Sequence, residues 1–298
     1  MPGYRGRFAP SPTGNLHFGS LLAALGSWLR ARAAGGRWLV RIDDIDPPRE
    51  APGAAESILR TLQACALHPD EPPLHQGTRL AAYAAAFESL RGSGKLFPCW
   101  CSRSDLAATG GVHHGACIAA PDANVMSARE PAWRVRVDDN LVEFEDGLQG
   151  AQRWPLADGG DFVVKRADGL FAYQLACAVD DAFQGISEVV RGADLLDSTP
   201  RQLFLLRLLG LREPAYLHLP VVTDANGAKL SKSEGAAAVD AHDPLPAMRA
   251  ALALLGIPRA VLRADDPGRL LAGALSEFDA GNLPRTGTLV QRGETFSA

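Results

Sequence analysis

A chain of 298 residues, 47% hydrophobic and 21% charged, is long enough to bury one large core or two smaller ones, and it has neither the polarity of a disordered chain nor the long apolar runs of a membrane protein. Its net charge of −4, from 30 basic and 34 acidic residues, excludes a protein held to nucleic acid by bulk charge but leaves room for a local basic groove. The N-terminus MPGYRGRF lacks the apolar stretch of a secretory signal, no run approaches the roughly 20 apolar residues that span a bilayer, and five cysteines, an odd number, argue against a disulfide framework. A cytoplasmic protein with no membrane partner is expected.

In chain order, Tyr4 to Ala9 reads as a short strand and Pro10-Ser11-Pro12-Thr13-Gly14 as a turn. Leu16 to Ala34 carries apolar residues at helix spacing and ends at Gly35-Gly36, the residue type that caps a helix C-terminus. Arg37 to Ile42 is a second strand, closed by Asp43-Asp44-Ile45-Asp46-Pro47-Pro48. Helices are predicted over Ala54 to Ala66 and Arg79 to Ser93, and strands separated by helices indicate a parallel α/β sheet. From Phe97 to about Asp161, cysteines, glycines and short alternating stretches such as Trp133 to Val137 point to an inserted antiparallel or irregular module. The α/β rhythm returns over Phe162 to Leu219, with a helix at Pro200 to Leu209. A further helix is predicted at Pro244 to Leu255, and the last fifteen residues, rich in Gly, Arg and Thr, are expected to be poorly ordered. The expected divisions are 1–96, 97–161, 162–235 and 236–298.

Three stretches carry chemistry. In Pro10-Ser11-Pro12-Thr13-Gly14-Asn15-Leu16-His17-Phe18-Gly19 a strand ends and a helix begins, so unpaired N–H groups and the positive dipole end can hold phosphate. His17 can donate a hydrogen bond to a phosphate oxygen, and Gly19 leaves the helix backbone open to a flat purine. In Gly227-Ala228-Lys229-Leu230-Ser231-Lys232-Ser233, two lysines three apart among small residues suit a loop that closes on a triphosphate. Each stretch alone also reads as an ordinary capped helix or a solvated basic loop. In the third, Cys99, Cys101 and Cys117 stand with His113 and His114 within nineteen residues. Thiolates and imidazoles are zinc ligands, and a structural site takes four. Reduced thiols without metal are the alternative.

Taken together, in this order on an α/β chain, the first two stretches resemble the "HIGH" and "KMSKS" signatures of class I aminoacyl-tRNA synthetases, with Leu230 in the methionine place. Arg7 to Gly14 is similar to the glutamate-specific branch. Arg41 to Arg49, Phe171-Ala172-Tyr173, Val179-Asp180-Asp181 and Glu188 to Asp194 add matches, and the similarity runs from about Tyr4 to Ser233. The wording RIDDIDPPRE is most similar to a shortened branch of that family.

The resemblance implies a class I synthetase Rossmann-like parallel sheet, an inserted zinc-bearing acceptor-type module and a short helical C-terminal region. It implies activation of L-glutamate by ATP, with Mg2+, as glutamyl-adenylate. The attacking carboxylate is already an anion at neutral pH, so that step needs no general base. Arg7, Ser11, Tyr173 and Arg191 are implied glutamate contacts, because an arginine fork suits a carboxylate and rejects an amide. Asp43 stands where the family usually has glutamate, and it is expected to meet the substrate ammonium with one methylene less reach. Pro10, Thr13, Gly14, His17, Gly19 and Lys232 are the implied ATP site, with His17, Lys229 and Lys232 as the catalytic groups that neutralise phosphate charge. One structural Zn2+ is implied on Cys99, Cys101, Cys117 and His113, which takes the place of a family tyrosine; His114 is the runner-up.

Only 65 residues follow Ser233, too few for anticodon-reading domains of about 100–150 residues each. The implied acceptor is therefore the queuosine base at the wobble position of tRNA(Asp). A truncated synthetase charging a tRNA 3′ end and a non-catalytic relative that binds tRNA or glutamate are the alternatives. Cys65 and Cys177 are expected as buried thiols, and His68, His75, His218 and His242 as loop residues without a role. Lys165, Arg166, Arg134 and Arg136 are candidate RNA phosphate contacts. The absence of a heptad seam predicts a monomer.

Overall fold

Gly6, Arg7 and Phe8 of β1 (Arg5–Phe8) are buried, as are Trp38 to Ile42 of β2 (Arg37–Ile42). Continuous burial of this kind belongs to strands covered on both faces of a parallel sheet. In the computed structural model, which describes residues 3–102, 104–115, 130–223, 238–285, 288–292 and 295–297, β1 pairs with β2 and β2 with β3 (Leu74–His75), all parallel. Between β1 and β2 runs α1 (Phe18–Ala33). It lies so close to the sheet that a Cβ on Gly26 would come within 2.5 Å of Leu219. Helices α2 (Ala54–Ala64) and α3 (Leu80–Gly92) follow.

Next come β4 (Leu96–Cys99), β5 (Ala132–Val135), the antiparallel hairpin of β6 (Leu141–Asp146) and β7 (Gly150–Pro155), and β8 (Phe162–Lys165). The strands cross the division expected at residue 161. β8 returns to pair with β5, which also pairs with β4, and β6 joins the catalytic half through a parallel pairing of Asp146 with Tyr216. Strand partners are chosen by tertiary pairing, which local composition does not encode.

The second half holds α4 (Tyr173–Phe183), β9 (Glu188–Gly192), α5 (Thr199–Leu208) and β10 (Ala215–Leu219), with β9 and β10 parallel. Ser187 ties the halves together: its N–H donates to Arg5 O at 2.9 Å, its hydroxyl accepts from Arg5 N at 2.9 Å, and its carbonyl accepts from Ala215 N at 2.9 Å. β1 therefore lies alongside β9. The chain leaves β1 toward β2 on one side and β10 extends the sheet on the other. Such a switch point opens a crevice at the C-terminal strand ends.

β11 (Val221–Thr223), α6 (Leu245–Leu254) and α7 (Pro267–Glu277) follow, and both helices pack with α1 in one apolar cluster. The C-terminal end departs from expectation. β12 (Thr288–Arg292) pairs parallel with β11, and β13 (Thr295–Ser297) pairs antiparallel with β12. Backbone ladders need no apolar side chains, so a Gly-, Arg- and Thr-rich composition did not forecast them. No described helix is long and apolar enough to cross a membrane.

Candidate active site

The first signature stretch caps the switch-point crevice. His17 is the N-cap of α1, and its Nδ1 accepts a hydrogen bond from Ser20 N at 3.2 Å. With Nδ1 accepting, a neutral ring carries its proton on Nε2, which lies 3.0 Å from Ser20 Oγ. Burial pushes the imidazole below its ordinary pKa, so the ring is neutral at pH 7. Gly19 lies against that ring: an added Cβ would stand 3.4 Å from it. Pro10 O accepts from Asp43 N and Pro12 O from Ala51 N, both at 2.9 Å, and Thr13 N donates to Ser11 O at 2.9 Å. These bonds tie the turn before Gly14 to the segment that follows β2. Lys229 and Lys232 lie outside the described residues. Ala238, six residues after Lys232, forms a β-bridge with His17, and Val239 N donates to Leu16 O at 2.8 Å.

Beneath the turn lies a buried charge cluster. Arg7 is 3% exposed, and it directs Nε and one Nη2 hydrogen to the two oxygens of Asp181, at 3.1 and 3.5 Å. Arg41 is more fully engaged: Nε donates to Asp43 at 2.7 Å, Nη1 to Asp181 at 2.6 Å and Gln184 at 3.3 Å, and Nη2 to Cys177 Sγ at 3.5 Å. Burial works against the Asp181 charge, but Arg7 and Arg41 outweigh it and pull the carboxyl down to about 2. Burial pushes the Asp43 carboxyl up, with Arg41 and Arg7 opposing. Cys177 is buried, as expected, and its thiol approaches Asp43 Oδ2 at 3.6 Å. Two guanidiniums and two carboxylates leave this cluster balanced. It borders a cavity of ≈ 580 Å³ whose walls include Ser11, Thr13, Asp43, Arg166 and Tyr173. Burial raises the Tyr173 phenol, which also senses the fields of Cys177, Arg191, Asp43 and Arg7. The glutamate contacts expected from sequence therefore gather in one neighbourhood.

Arg191 is held differently. It is 5% exposed, on β9, and its partners among the described residues are neutral. Nε donates to His218 Nε2 at 3.1 Å, Nη1 to Gln202 Oε1 at 2.9 Å, and Nη2 to Leu195 O at 3.2 Å and Thr199 Oγ1 at 2.8 Å. Its guanidinium also lies over the Tyr216 ring, 5.5 Å from the centroid. No carboxylate pairs with it among the described residues. His218, expected in a loop without a role, instead lies within β10, 0% exposed, and its Nδ1 is 2.6 Å from Asp146 Oδ2. Pairing with β9 makes that segment a strand, which a lone histidine beside Pro220 does not announce. Burial lowers the His218 pKa, and the ring is neutral. Burial also opposes the Asp146 charge, but His218 and the backbone N–H groups of Gln149 and Leu148 outweigh it and hold the carboxyl below its ordinary range.

A second cluster lies at β4. Cys99 Sγ, Cys101 Sγ and a His113 ring nitrogen all fall within 4.8 Å of one another. His113 is buried and His114 exposed, which separates the two histidines. His113 Nδ1 meets Asp161 Oδ2 at 3.2 Å, whereas Nε2 is buried with no hydrogen-bond partner. Asp161 is itself held by Gly115 N at 3.1 Å and Val137 N at 3.0 Å. Cys117 lies outside the described residues. Arg134, a candidate RNA contact by sequence, turns inward instead, donating to Cys99 Sγ at 3.3 Å and Asp161 O at 2.7 Å. Arg136 covers the Phe97 ring, Lys165 sits over Phe87 and Phe171, and Arg166 pairs with Asp46 and Asp168.

A parallel sheet with a helix start and a cavity of mixed polar and apolar lining at its switch point is the arrangement of a Rossmann-like nucleotide-binding domain. Residues 4–264 match the family "tRNA synthetases class I (E and Q), catalytic domain", and the chain belongs to that family. It is 57% identical over 287 residues to a glutamyl-Q tRNA(Asp) synthetase of Xanthomonas oryzae pv. oryzae, covering 95% of this chain and 94% of the relative. A second protein of that name, from Burkholderia cenocepacia, is 57% identical over 265 residues, covering 86% and 89%. A glutamate tRNA ligase from Elizabethkingia meningosepticum, solved with its amino acid, superposes with a TM-score of 0.78 at 24% identity, covering 96% of this chain and 66% of that longer one. Glutamate-tRNA synthetase from Elizabethkingia anophelis gives a TM-score of 0.80 at 24% identity, covering 98% and 68%. These two show the shared fold.

Proposed function

We propose that the protein activates L-glutamate with ATP and Mg2+ as glutamyl-adenylate and transfers the glutamate to the queuosine base at the wobble position of tRNA(Asp). The relatives at 57% identity, matched over most of their length, are named glutamyl-Q tRNA(Asp) synthetases, which supports this reading. The structural observation that carries glutamate is the unbalanced charge on Arg191. A buried cation is ordinarily paired, and Arg191 has only neutral partners among the described residues. A substrate side-chain carboxylate completes the pair. Glutamine, which brings no charge, does not. The α-carboxylate is then free to attack the α-phosphorus of ATP, and pyrophosphate leaves with Mg2+. Asp43, on the cavity wall, takes the ammonium, and Arg7, with two of its five N–H donors engaged among the described residues, is a further anchor. In the second step the acyl carbon passes from AMP to the queuosine diol.

Labelled glutamate with two tRNA(Asp) preparations, with and without queuosine, tests the whole reading. Label should appear only on the queuosine-bearing RNA. Equal labelling of queuosine-free tRNA(Asp) would identify a synthetase that charges the 3′ end. No glutamate-dependent pyrophosphate exchange at all would leave only a binding role.

The reading includes one structural Zn2+, held by Cys99, Cys101 and His113, with Cys117 as the fourth ligand by sequence. Three ligand atoms within 4.8 Å suit a tetrahedral ion whose bonds are about 2.0–2.3 Å long. The unpartnered Nε2 of His113 supplies the third ligand, while Asp161 fixes the ring from Nδ1. Protein purified without chelator should carry about one zinc per chain, measured by metal analysis. Asp161→Asn should weaken zinc binding by about 10- to 100-fold in competition with a chromophoric chelator. Wild-type protein with well under one zinc would remove the ion from the reading.

A further inference from the structure

The Arg191 guanidinium is held by a chain of hydrogen bonds that starts 45 residues earlier in the sequence, at Asp146, on the hairpin of the second module. Asp146 Oδ1 accepts from three backbone N–H groups: Leu148 at 3.0 Å, Gln149 at 2.9 Å and His218 at 3.2 Å. Its Oδ2 faces His218 Nδ1 at 2.6 Å. An ionised carboxylate can only accept, so the proton of the neutral His218 ring must sit on Nδ1. That leaves Nε2 with a lone pair, and Arg191 Nε–H lies 3.1 Å and the Thr199 hydroxyl 3.2 Å from it. With Gln202, Leu195 and Thr199 taking the other bonds, four of the five N–H donors of Arg191 are occupied among the described residues, which leaves one on Nη1.

We propose that His218 and Asp146 are positioning residues for amino-acid binding, acting through Arg191: the carboxylate sets the histidine tautomer, and the tautomer sets the orientation of the guanidinium. The inference rests on the reading that Arg191 meets the glutamate side chain. A guanidinium already fixed in one orientation loses little further freedom when substrate binds, and misplacement by a fraction of an ångström weakens the contact it makes. The chain also accounts for the hairpin β6–β7. Its one parallel pairing with β10 is at Asp146 and Tyr216, beside His218, so the pairing sets Asp146 against the histidine.

The sharpest test changes no volume. Asp146→Asn keeps an oxygen for the backbone N–H groups and turns an N–H donor toward His218 Nδ1. The ring must then carry its proton on Nε2, donor against donor with Arg191. In ATP–pyrophosphate exchange, the KM for glutamate should rise about tenfold or more, while kcat and the KM for ATP stay near wild type. His218→Leu should behave alike. His218→Gln, whose side-chain oxygen can replace the Nε2 lone pair, should stay within about threefold of wild type. A glutamate KM in Asp146→Asn within about twofold of wild type overturns the proposal. So does a parallel rise in the KM values for glutamate and ATP, which marks general loosening. If Asp146→Asn does not fold, the His218→Gln and His218→Leu pair decides, and equal loss in both rejects positioning through Arg191. Wild-type protein lacking glutamate-dependent exchange overturns the glutamate reading and the relay with it. Wild-type exchange with an unaltered KM in Asp146→Asn overturns the relay alone.

Discussion

Replacing Arg191 with methionine should abolish useful glutamate activation and leave the stability of the fold nearly unchanged. The two halves of that result come from one feature, a buried cation with neutral partners. Losing a buried, hydrogen-bonded charge pair with a ligand costs about 3–5 kcal/mol, or roughly two to four powers of ten in kcat/KM. Without ligand, the same change removes a desolvated charge that no carboxylate balances among the described residues. It also strands the acceptors on His218, Gln202, Thr199 and Leu195, so the two effects offset within about 1–2 kcal/mol. Arg7→Met is the contrast. It strips Asp181 of one of two guanidinium partners in a balanced cluster, a loss of about 3 kcal/mol in stability. Urea unfolding and pyrophosphate exchange on both variants separate the predictions. A large fall in stability in Arg191→Met with normal exchange would assign Arg191 to structure rather than substrate.

Acid adds a second readout to Arg7→Met. The Asp181 carboxyl is held at about 2 against an ordinary value near 3.8. A carboxyl depressed on folding stabilises the native state above its unfolded pKa and loses that contribution as pH falls through the folded one. The contribution is about 2 kcal/mol at neutral pH and disappears between roughly pH 4 and pH 2. With Arg7 gone, only Arg41 depresses Asp181, the folded pKa rises toward the unfolded value, and the acid-dependent loss should shrink. An unchanged pH dependence of unfolding between pH 4 and pH 2 would separate Arg7 from Asp181 energetically.

Elements governed by local signals were legible in the sequence. β2 follows the predicted bounds residue for residue, and α1 starts beside its histidine cap and stops at the glycine pair. The motifs also brought Arg7, Ser11, Asp43 and Tyr173 to one region, because each sits near the end of a strand, in the turn that follows, or at the start of a helix. What holds them there was not legible. Asp181 lies 174 positions from Arg7, and Asp146 lies 72 from His218. No spacing rule connects partners brought together only by sheet order. His218 shows the cost most plainly: beside a proline it reads as a loop residue, and only pairing with β9 and β6 makes it the buried neighbour of Arg191. Nor does any local signal join Asp161 to His113, 48 positions earlier, whose Nδ1 its carboxylate meets at 3.2 Å.

Lys232→Ala should lower the rate of adenylate formation by about 10²- to 10³-fold, with a smaller change in the KM for glutamate. Neutralisation at the phosphates needs a cation. His17 is a neutral ring, kept so by burial. It can orient a phosphate oxygen from the start of α1 but contributes no net charge. Lys229 and Lys232 lie outside the described residues, yet the chain rejoins the fold six residues after Lys232, at Ala238, bridged to His17 itself. As the carboxylate attacks, charge builds on the departing pyrophosphate, so a lysine there contributes more in the transition state than in the bound substrate. Such a loss falls on kcat rather than KM. His17→Asn, which removes orientation but no charge, should cost about tenfold. Lys232→Arg keeps the charge but spreads it over a planar group and should fall between the two. Single-turnover adenylate formation gives the order directly. If His17→Asn proves as damaging as Lys232→Ala, orientation at the helix start limits the step and the lysine's charge does not.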